Sequence, residues 1–225
     1  MYKRQTIDGA AGVGKTSTAK EVAKKLGFQY FDTGSMYRAV TLHFLEKKVD
    51  FFSDSEIEKA LDTMELKIDF SEKNNMKLLL DGIDISLKIR NHNVTKNVSA
   101  VSAIKSVRTL MVNIQRSVTE NGNFVVEGRD IGTVVFPDAK HKFFLEADYD
   151  ARAKRRMADF IKINEVININ EIKKDLIERD KYDSNRKLSP LKKPTDAISI
   201  NTSHCSFEEQ VSQILKHIES KDERN

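Results

Sequence analysis

The chain has 225 residues, 39% of them hydrophobic and 32% charged, with a formal net charge of +4. This length predicts one domain, or one domain with insertions. Three prolines exclude a proline-rich chain, and twelve phenylalanines exclude a low-aromatic disordered chain. The single cysteine, Cys205, excludes an intrachain disulfide and a cysteine-rich zinc site.

The first third of the chain predicts strands and helices in alternation. Strands are expected at 3–7 and 28–31, and helices at 15–26 and 36–47. Gly27 is a natural stop for the first of these helices.

The pattern changes between residues 50 and 95. Ser53 with Glu56 predicts a capping box that opens a helix to about residue 64. Apolar runs at 65–86, interrupted by Asp81-Gly82, predict a small antiparallel insert with a two-residue hairpin turn.

The rest of the chain returns to alternation. We expect strands at 124–127, 141–146 and 197–200, a long helix or helix pair over 94–120, helices from Asp148 or Asp150 to 162 and from 170 to 184, and a last helix capped by Ser206 and Glu209. Strands alternating with helices predict a parallel sheet with helices on both faces.

The positive charge is concentrated in one segment. Residues 151–193 hold 13 Lys/Arg against 7 Asp/Glu, whereas the remaining chain is slightly acidic. Such a segment could bind nucleic acid, bind the phosphates of a small molecule, or form a solvated helix face.

No apolar run is long enough for a signal peptide or a membrane span, so we expect a cytoplasmic protein without a membrane partner.

A phosphate-binding motif follows the first predicted strand. Residues 9–16, GAAGVGKT, fit the pattern G-x-x-x-x-G-K-[ST] in full. Glycines allow the backbone to approach phosphate, and successive N–H groups at the start of a helix form an anion cradle. We therefore expect ATP or GTP at the phosphate loop, with the Lys15 amine on the β- and γ-phosphates and the Thr16 hydroxyl on Mg²⁺. The predicted loop residues are Gly9, Ala10, Ala11, Gly12, Val13, Gly14, Lys15, Thr16 and Ser17.

Four further segments carry candidate acceptor-site residues. They are residues 32–38 (DTGSMYR), Ser99 with Arg108, residues 127–132 (EGRDIG), and the series Arg179, Asp183 and Arg186. The EGRDIG segment follows a predicted strand, where open α/β sheets bind ligands. Spacings of four, three and seven predict that the last three residues share one helix face. No N-K-x-D base-reading loop of a GTPase is present, which favours a small kinase.

Together these segments resemble bacterial cytidylate kinases nearly end to end. The matching pieces are TIDGAAGVGKT (6–16), DTGSMYRA (32–39), LLDGIDIS (79–86), VVEGRDIGTVVFPDA (125–139), AKRRM (153–157) and ERDKYDSNR (178–186). Ala10 and Ala11 stand where that family usually has Pro-Ser, and Tyr182 and Ser184 stand where many members carry arginines.

The resemblance implies a P-loop fold of the nucleoside monophosphate kinase type. It implies one P-loop kinase domain over 1–225, an acceptor-binding insert at 50–95 and a helical lid at 151–193. The implied reaction uses ATP and Mg²⁺ to phosphorylate CMP or dCMP, without nucleic acid, in a protein expected to be a monomer.

The resemblance also implies roles for individual residues. Lys15, Arg129 and Arg186 would be catalytic, and Thr16 would ligate the metal, with Glu127 and Asp8 as candidates for its outer shell. Ser99, Arg108 and Asp130 would read cytosine. The other implied contacts are Arg38, Arg129 and Arg186 on the acceptor phosphate with Thr33 nearby, Arg179 and Asp183 on the sugar, and Arg155 and Arg156 towards ATP.

Three alternatives remain at this point. The first is another P-loop small-molecule kinase, for UMP, AMP or shikimate. The second is a nucleic-acid-binding ATPase that uses the basic segment, which predicts salt-dependent RNA or DNA binding. The third is a nucleotide-binding module that retains ATP without transferring phosphate.

Overall fold

A computed structural model describes residues 3–72, 75–162 and 167–222. The strands are β1 (Arg4–Gly9), β2 (Gln29–Asp32), β3 (Leu66–Glu72), β4 (Asn75–Leu80), β5 (Ile83–Asp84), β6 (Phe124–Gly128), β7 (His141–Glu146) and β8 (Ile198–Asn201). The helices are α1 (Lys15–Leu26), α2 (Thr33–Glu46), α3 (Asp54–Asp62), α4 (His92–Val101), α5 (Lys105–Val118), α6 (Tyr149–Lys162), α7 (Ile169–Asn185) and α8 (Phe207–Asp222).

The main sheet has five strands in the order β2-β6-β1-β7-β8, and every pair is parallel. In the register, Asp8 of β1 lies beside Gly128 of β6, and Glu127 lies beside Asp32 of β2. Because parallel strands end at the same edge, the segments that follow β1, β2 and β6 meet there. The predicted parallel α/β sheet is confirmed.

Helices cover both faces of this sheet. Val125 packs in an apolar cluster with residues of α1 and α8, such as Val22 and Ile214. Its neighbour Val126 points to the other face, into a cluster with α2 residues such as Val40. Successive side chains of a strand alternate between faces, so a continuous apolar run such as that of β6 fits a strand buried on both sides.

The insert after α2 forms an antiparallel sheet of β3, β4 and β5. Asp81 and Gly82 have φ of 50° and 79°, as a turn of the predicted two-residue type requires. The predicted capping box of α3 is half formed. The Ser53 hydroxyl accepts from the Glu56 N–H (3.4 Å), but the Glu56 carboxylate accepts from the Asp50 N–H (2.9 Å) instead, because the chain bends back at Asp50.

The C-terminal half confirms several predictions and corrects one. The 94–120 stretch is a pair of helices, α4 and α5, and α8 begins with a reciprocal Ser206–Glu209 capping box (2.7 and 3.2 Å). The placement of Arg186 on the helix face with Arg179 and Asp183 is wrong. α7 ends at Asn185, and Arg186 has an extended backbone with ψ of 140°. None of the described helices has the length and apolarity to cross a membrane.

Candidate active site

The phosphate loop links β1 to α1, which is the strand–loop–helix context that the motif requires. Gly9, Gly12 and Gly14 have φ of 150°, 77° and 94°, a region that other residues rarely adopt. A Cβ on Gly9 would lie 2.4 Å from the carbonyl oxygen of Leu145. Gly9 is therefore required for this loop to pass close to β7.

Lys15 lies at the centre of the edge where β1 and β6 end. Its buried amine donates to the Ala10 carbonyl (2.6 Å). Burial, with Arg129 and Arg179 nearby, lowers the pKa of Lys15, and the Glu127 carboxylate partly offsets this. Such an amine lacks sufficient negative charge around it, so an anion such as phosphate would stabilise its charged form.

Glu127 is a buried carboxylate beside Thr16. The Tyr30 hydroxyl donates to it (2.5 Å), and Thr16 hydrogen-bonds to it. Burial and the neighbouring Asp32 raise the pKa of Glu127, whereas Lys15 opposes this rise. A hydroxyl next to a carboxylate is an oxygen environment that suits Mg²⁺.

No three His, Cys, Asp or Glu side chains form a metal site within residues 3–72, 75–162 and 167–222. The Thr16 hydroxyl and the Glu127 carboxylate are oxygen groups that suit Mg²⁺, which takes most of its ligands from phosphate and water in nucleotide sites.

Asp8 has a structural task that the sequence did not indicate. Its two carboxylate oxygens accept from the backbone N–H groups of Ile131 and Gly132 (2.8 and 2.7 Å). Of the two outer-shell candidates, Glu127 therefore lies beside Thr16, whereas both oxygens of Asp8 hold the chain that follows β6.

The turn after β6 directs two charged side chains into different groups. Gly128 allows a close approach, since a Cβ there would lie 2.5 Å from Ile131 and 2.7 Å from the Thr33 hydroxyl, which donates to the Glu127 carbonyl (2.8 Å). Beyond it, Arg129 pairs with Asp183, and Asp130 pairs with Arg108. A wide helical turn over Ile131–Val135 follows.

The first group joins Arg108, Asp130 and Arg186, whose side chains are about 5% exposed. Arg108 donates to the Asp130 carboxylate through one terminal nitrogen, to the Ser102 carbonyl through the other (3.3 Å), and to the Ser189 hydroxyl through Nε (3.0 Å). Arg186 lies 3.6 Å from the other Asp130 oxygen. The structure thus brings Arg186 to the predicted cytosine-reading pair.

Ser99, also predicted to read the base, lies in the last turn of α4. Its carbonyl accepts from the Ser102 hydroxyl (3.0 Å), which connects it to the segment that binds Arg108. Sequence reasoning missed Ser102 and Ser189, because a serine in a loop carries no signal of which distant side chain it contacts.

The second group contains arginines that repel each other. Arg38, Arg129, Arg156 and Arg179 lie close enough that burial and their mutual repulsion lower the pKa of Arg179 and Arg38. Arg38 donates to the Thr95 hydroxyl (2.9 Å), and Arg129 pairs with Asp183 (3.2 Å). The Arg179 Nε is buried without a hydrogen-bond partner among the described residues. Buried, like-charged donors of this kind have the chemistry to bind an anion.

The α6 arginines Arg155 and Arg156 have different neighbours. Arg155 donates to the Thr202 hydroxyl (3.0 Å), which itself donates to the Val13 carbonyl (2.9 Å). Arg156 faces the arginine group and lies over the Phe160 ring at 4.9 Å.

Arg152 is a further residue of the site that the motifs did not reveal. It donates to the Ala11 carbonyl (2.7 Å) and forms two bonds to Asp180 (2.6 and 2.9 Å). It therefore joins α6, α7 and the phosphate loop. Its position one turn before Arg155 and Arg156 is visible in the sequence, but its partner on α7 is not.

A parallel sheet, a phosphate loop and a facing arginine group define a P-loop small-molecule kinase. Comparisons with known proteins show which family of this class the chain belongs to. Residues 5–220 match the family model described as cytidylate kinase, and the chain belongs to the cytidylate kinase family.

Similar proteins support this membership. A cytidylate kinase of Fusobacterium nucleatum is 46% identical over 213 residues, or 95% of each chain. A bifunctional pantoate ligase/cytidylate kinase of Prochlorococcus marinus is 43% identical over 96% of this chain, which spans only 42% of that fused protein. A solved structure of an uncharacterized protein from Eubacterium ventriosum shares the fold, with a TM-score of 0.53 and 14% identity over 97% of this chain and 99% of that chain.

Proposed function

We propose that the protein transfers the γ-phosphoryl group of ATP to CMP or dCMP and releases ADP with CDP or dCDP. The observation that carries this proposal is the buried Arg108–Asp130–Arg186 group, which lies at the same sheet edge as the phosphate loop. Membership of the cytidylate kinase family supports the same substrates.

The side chains of the first group match the edge of cytosine. Cytosine offers an exocyclic amine donor beside a ring nitrogen and a carbonyl, both acceptors. The Asp130 carboxylate would accept from the amine, and Arg108 with Ser99 would donate to the acceptors. Uracil reverses two of these positions and would leave buried groups unpaired, which strongly disfavours a substrate.

The second group would hold the phosphate of the acceptor. Arg38, Arg129 and Arg179 already repel each other, so an acceptor phosphate would relieve the repulsion and bind between them. Arg179 and Asp183 lie next to Arg129, where the sugar of the same nucleotide would also be within reach.

Phosphoryl transfer in this class depends on positioning and on neutralising charge. The phosphate loop, Gly9 to Ser17, would hold the ATP phosphates, and Lys15 would stabilise the γ-phosphoryl group during transfer. Thr16 would ligate Mg²⁺, with Glu127 beside it, and the ion would supply further positive charge to the phosphates. No general base is required, because the acceptor phosphate is already an anionic nucleophile.

The insert at 50–95 and the lid at 151–193 complete the proposal. The lid, through Arg155 and Arg156, would close over the nucleotides and exclude water, which suppresses ATP hydrolysis. Residues 73–74 of the insert and 163–166 of the lid lie outside the described residues.

A coupled ADP-release assay with CMP, dCMP, UMP, AMP and GMP tests the proposal. We expect preferred turnover of CMP or dCMP.

Asp130→Asn should lower the CMP/UMP ratio of kcat/KM at least about tenfold, because the amide also offers a donor to uracil. Asp138→Asn serves as the matched control, because it makes the same change at an exposed position eight residues later in the chain.

An unchanged CMP/UMP ratio in Asp130→Asn would contradict the base-reading role. Preferred turnover of UMP, AMP or GMP would contradict the substrate assignment. ATP retention with no transfer to any acceptor would indicate a non-catalytic nucleotide-binding module.

A further inference from the structure

Ser189 lies in the loop after α7, in a backbone conformation that is unusual for serine. Its φ is 48°, and Lys48 and Asp81 are the other non-glycine residues with positive φ in the described part of the chain. Positive φ is unfavourable for a residue with a Cβ, so it persists where surrounding contacts hold the chain.

Ser189 contacts Arg108 and Asp130, two of the residues predicted to read the base, and also Arg186 beside them. Its hydroxyl accepts from the Arg108 Nε (3.0 Å) and hydrogen-bonds to the Asp130 carboxylate. Its carbonyl accepts from the Arg186 Nε (2.5 Å). A serine hydroxyl can accept one hydrogen bond while it donates another, so this one oxygen can fix an arginine and a carboxylate relative to each other.

The same loop is tied to the end of α7. The Leu191 N–H donates to the Asp183 carbonyl (2.8 Å), and the Asp183 carboxylate pairs with Arg129 (3.2 Å). The position of Ser189 therefore depends on the end of α7, which carries residues of the predicted phosphate and sugar site.

We propose that Ser189 is a positioning residue for selection of the acceptor base. Its hydroxyl holds Arg108 and Asp130 in the orientation that accepts cytosine, and its loop connects this orientation to the end of α7. This inference rests on the proposed function, since it concerns the discrimination between CMP and UMP.

Two substitutions separate the hydroxyl from the backbone. Ser189→Gly removes the hydroxyl and fits positive φ, whereas Ser189→Ala removes the hydroxyl and leaves a Cβ at an unfavourable φ. We expect both variants to lower the CMP/UMP ratio of kcat/KM by about five- to tenfold, as for the loss of one hydrogen bond of ordinary strength. The KM for ATP should be unchanged, and Ser189→Ala should lower the midpoint of thermal unfolding more than Ser189→Gly, because glycine is unstrained at this φ.

Ser184→Ala is the matched control, because Ser184 is exposed on α7 only five residues before Ser189. The CMP/UMP ratio of kcat/KM for this control should equal that of the wild type. A wild-type ratio in Ser189→Gly would overturn the inference even if Ser189→Ala loses discrimination, because selection of the base would then not need the hydroxyl. A wild-type protein that prefers CMP, combined with an unchanged Ser189→Gly, would leave the proposed function standing. A wild-type protein with no CMP preference would overturn both.

Discussion

At the residue scale, two buried carboxylates at neighbouring strand ends have different tasks. Glu127 faces Thr16 and Lys15, so its charge lies where metal and phosphate would bind. Asp8 instead accepts from two backbone N–H groups of the turn that carries Arg129 and Asp130. Asp8 therefore supports the proposed acceptor site through the backbone of this turn.

Asp8 predicts a pH dependence of stability. Burial raises its pKa from 3.8 to about 6. Below pH 3.8 the carboxyl is protonated in the folded and the unfolded state, and the stability that it contributes is fully present. As the pH rises, the unfolded state ionises first, so this contribution is lost by the time the pH has passed about 6. A pKa rise of this size corresponds to about 3 kcal/mol.

Urea unfolding of the wild type and Asp8→Asn at about pH 4 and about pH 7 measures this effect. Asp8→Asn should be less stable at both values by about 1–3 kcal/mol or more, because an amide offers one acceptor to two N–H donors. The difference in free energy of unfolding should be larger at the lower pH. Asp138→Asn, at an exposed position, should show no such trend, and a gap for Asp8→Asn that widens with rising pH would refute the assignment.

At the element scale, the turn that follows β6 determines how the site is divided. Two successive residues, Arg129 and Asp130, leave this turn towards Asp183 and Arg108. Gly128 lies against Ile131 and Thr33, and the Asp8 carboxylate holds the next backbone groups. The directions of both side chains thus depend on the packing of this one turn.

Gly128→Ala tests that dependence. The added Cβ would lie 2.6 Å from the Ile131 Cγ1 and 2.7 Å from the Thr33 Oγ1. We expect a loss of about 1–3 kcal/mol in the free energy of unfolding from overpacking. Because the turn must shift, kcat/KM for CMP should also fall by more than about tenfold, as for displaced positioning groups.

Gly27→Ala is a control for backbone strain alone. Gly27 ends α1 with φ of 69°, and a Cβ there would meet nothing within 4 Å. This variant should lose about 1–2 kcal/mol of stability, the cost of a Cβ in the left-handed region, and keep its kcat/KM for CMP. Equal kcat/KM for CMP in Gly128→Ala and Gly27→Ala would show that the turn after β6 tolerates displacement.

At the scale of the whole molecule, α6 and α7 form a small unit on the phosphate-loop side of the sheet. They pack around an apolar cluster with Ala153, Ile172 and Leu176, and Ala11 of the phosphate loop joins this cluster. Arg152 adds polar bonds to Ala11 and Asp180. Motion of these helices would therefore be transmitted to the nucleotide site.

Limited trypsin digestion tests whether residues 151–193 act as a lid. ATP and CMP together should slow cleavage within this segment more than either nucleotide alone, because the lid would close over the phosphates of both nucleotides. AMP in place of CMP should protect less. Equal cleavage rates with and without the nucleotide pair would argue against a lid.

The alternation of apolar runs, the glycine pattern and the capping residues predicted the elements well. Asp81-Gly82 predicted its hairpin, and Gly27 its helix end, because these are local effects of backbone conformation. Glu56 did not complete its capping box, because a nearby backbone N–H competed for its carboxylate. Arg186 left the helix face because α7 ends one residue before it, and helix ends are the least certain feature of a periodic pattern.

The sequence by itself determined the fold class, the phosphate loop and the family resemblance, because strand and helix periods and short motifs are encoded within a few residues. Only the tertiary structure decided the contacts of Arg152, the task of Asp8, and the joining of Ser189 to Arg108 and Asp130. These contacts link residues up to 141 positions apart. Their partners are selected by the register of the parallel sheet and by helix packing, which no local pattern records.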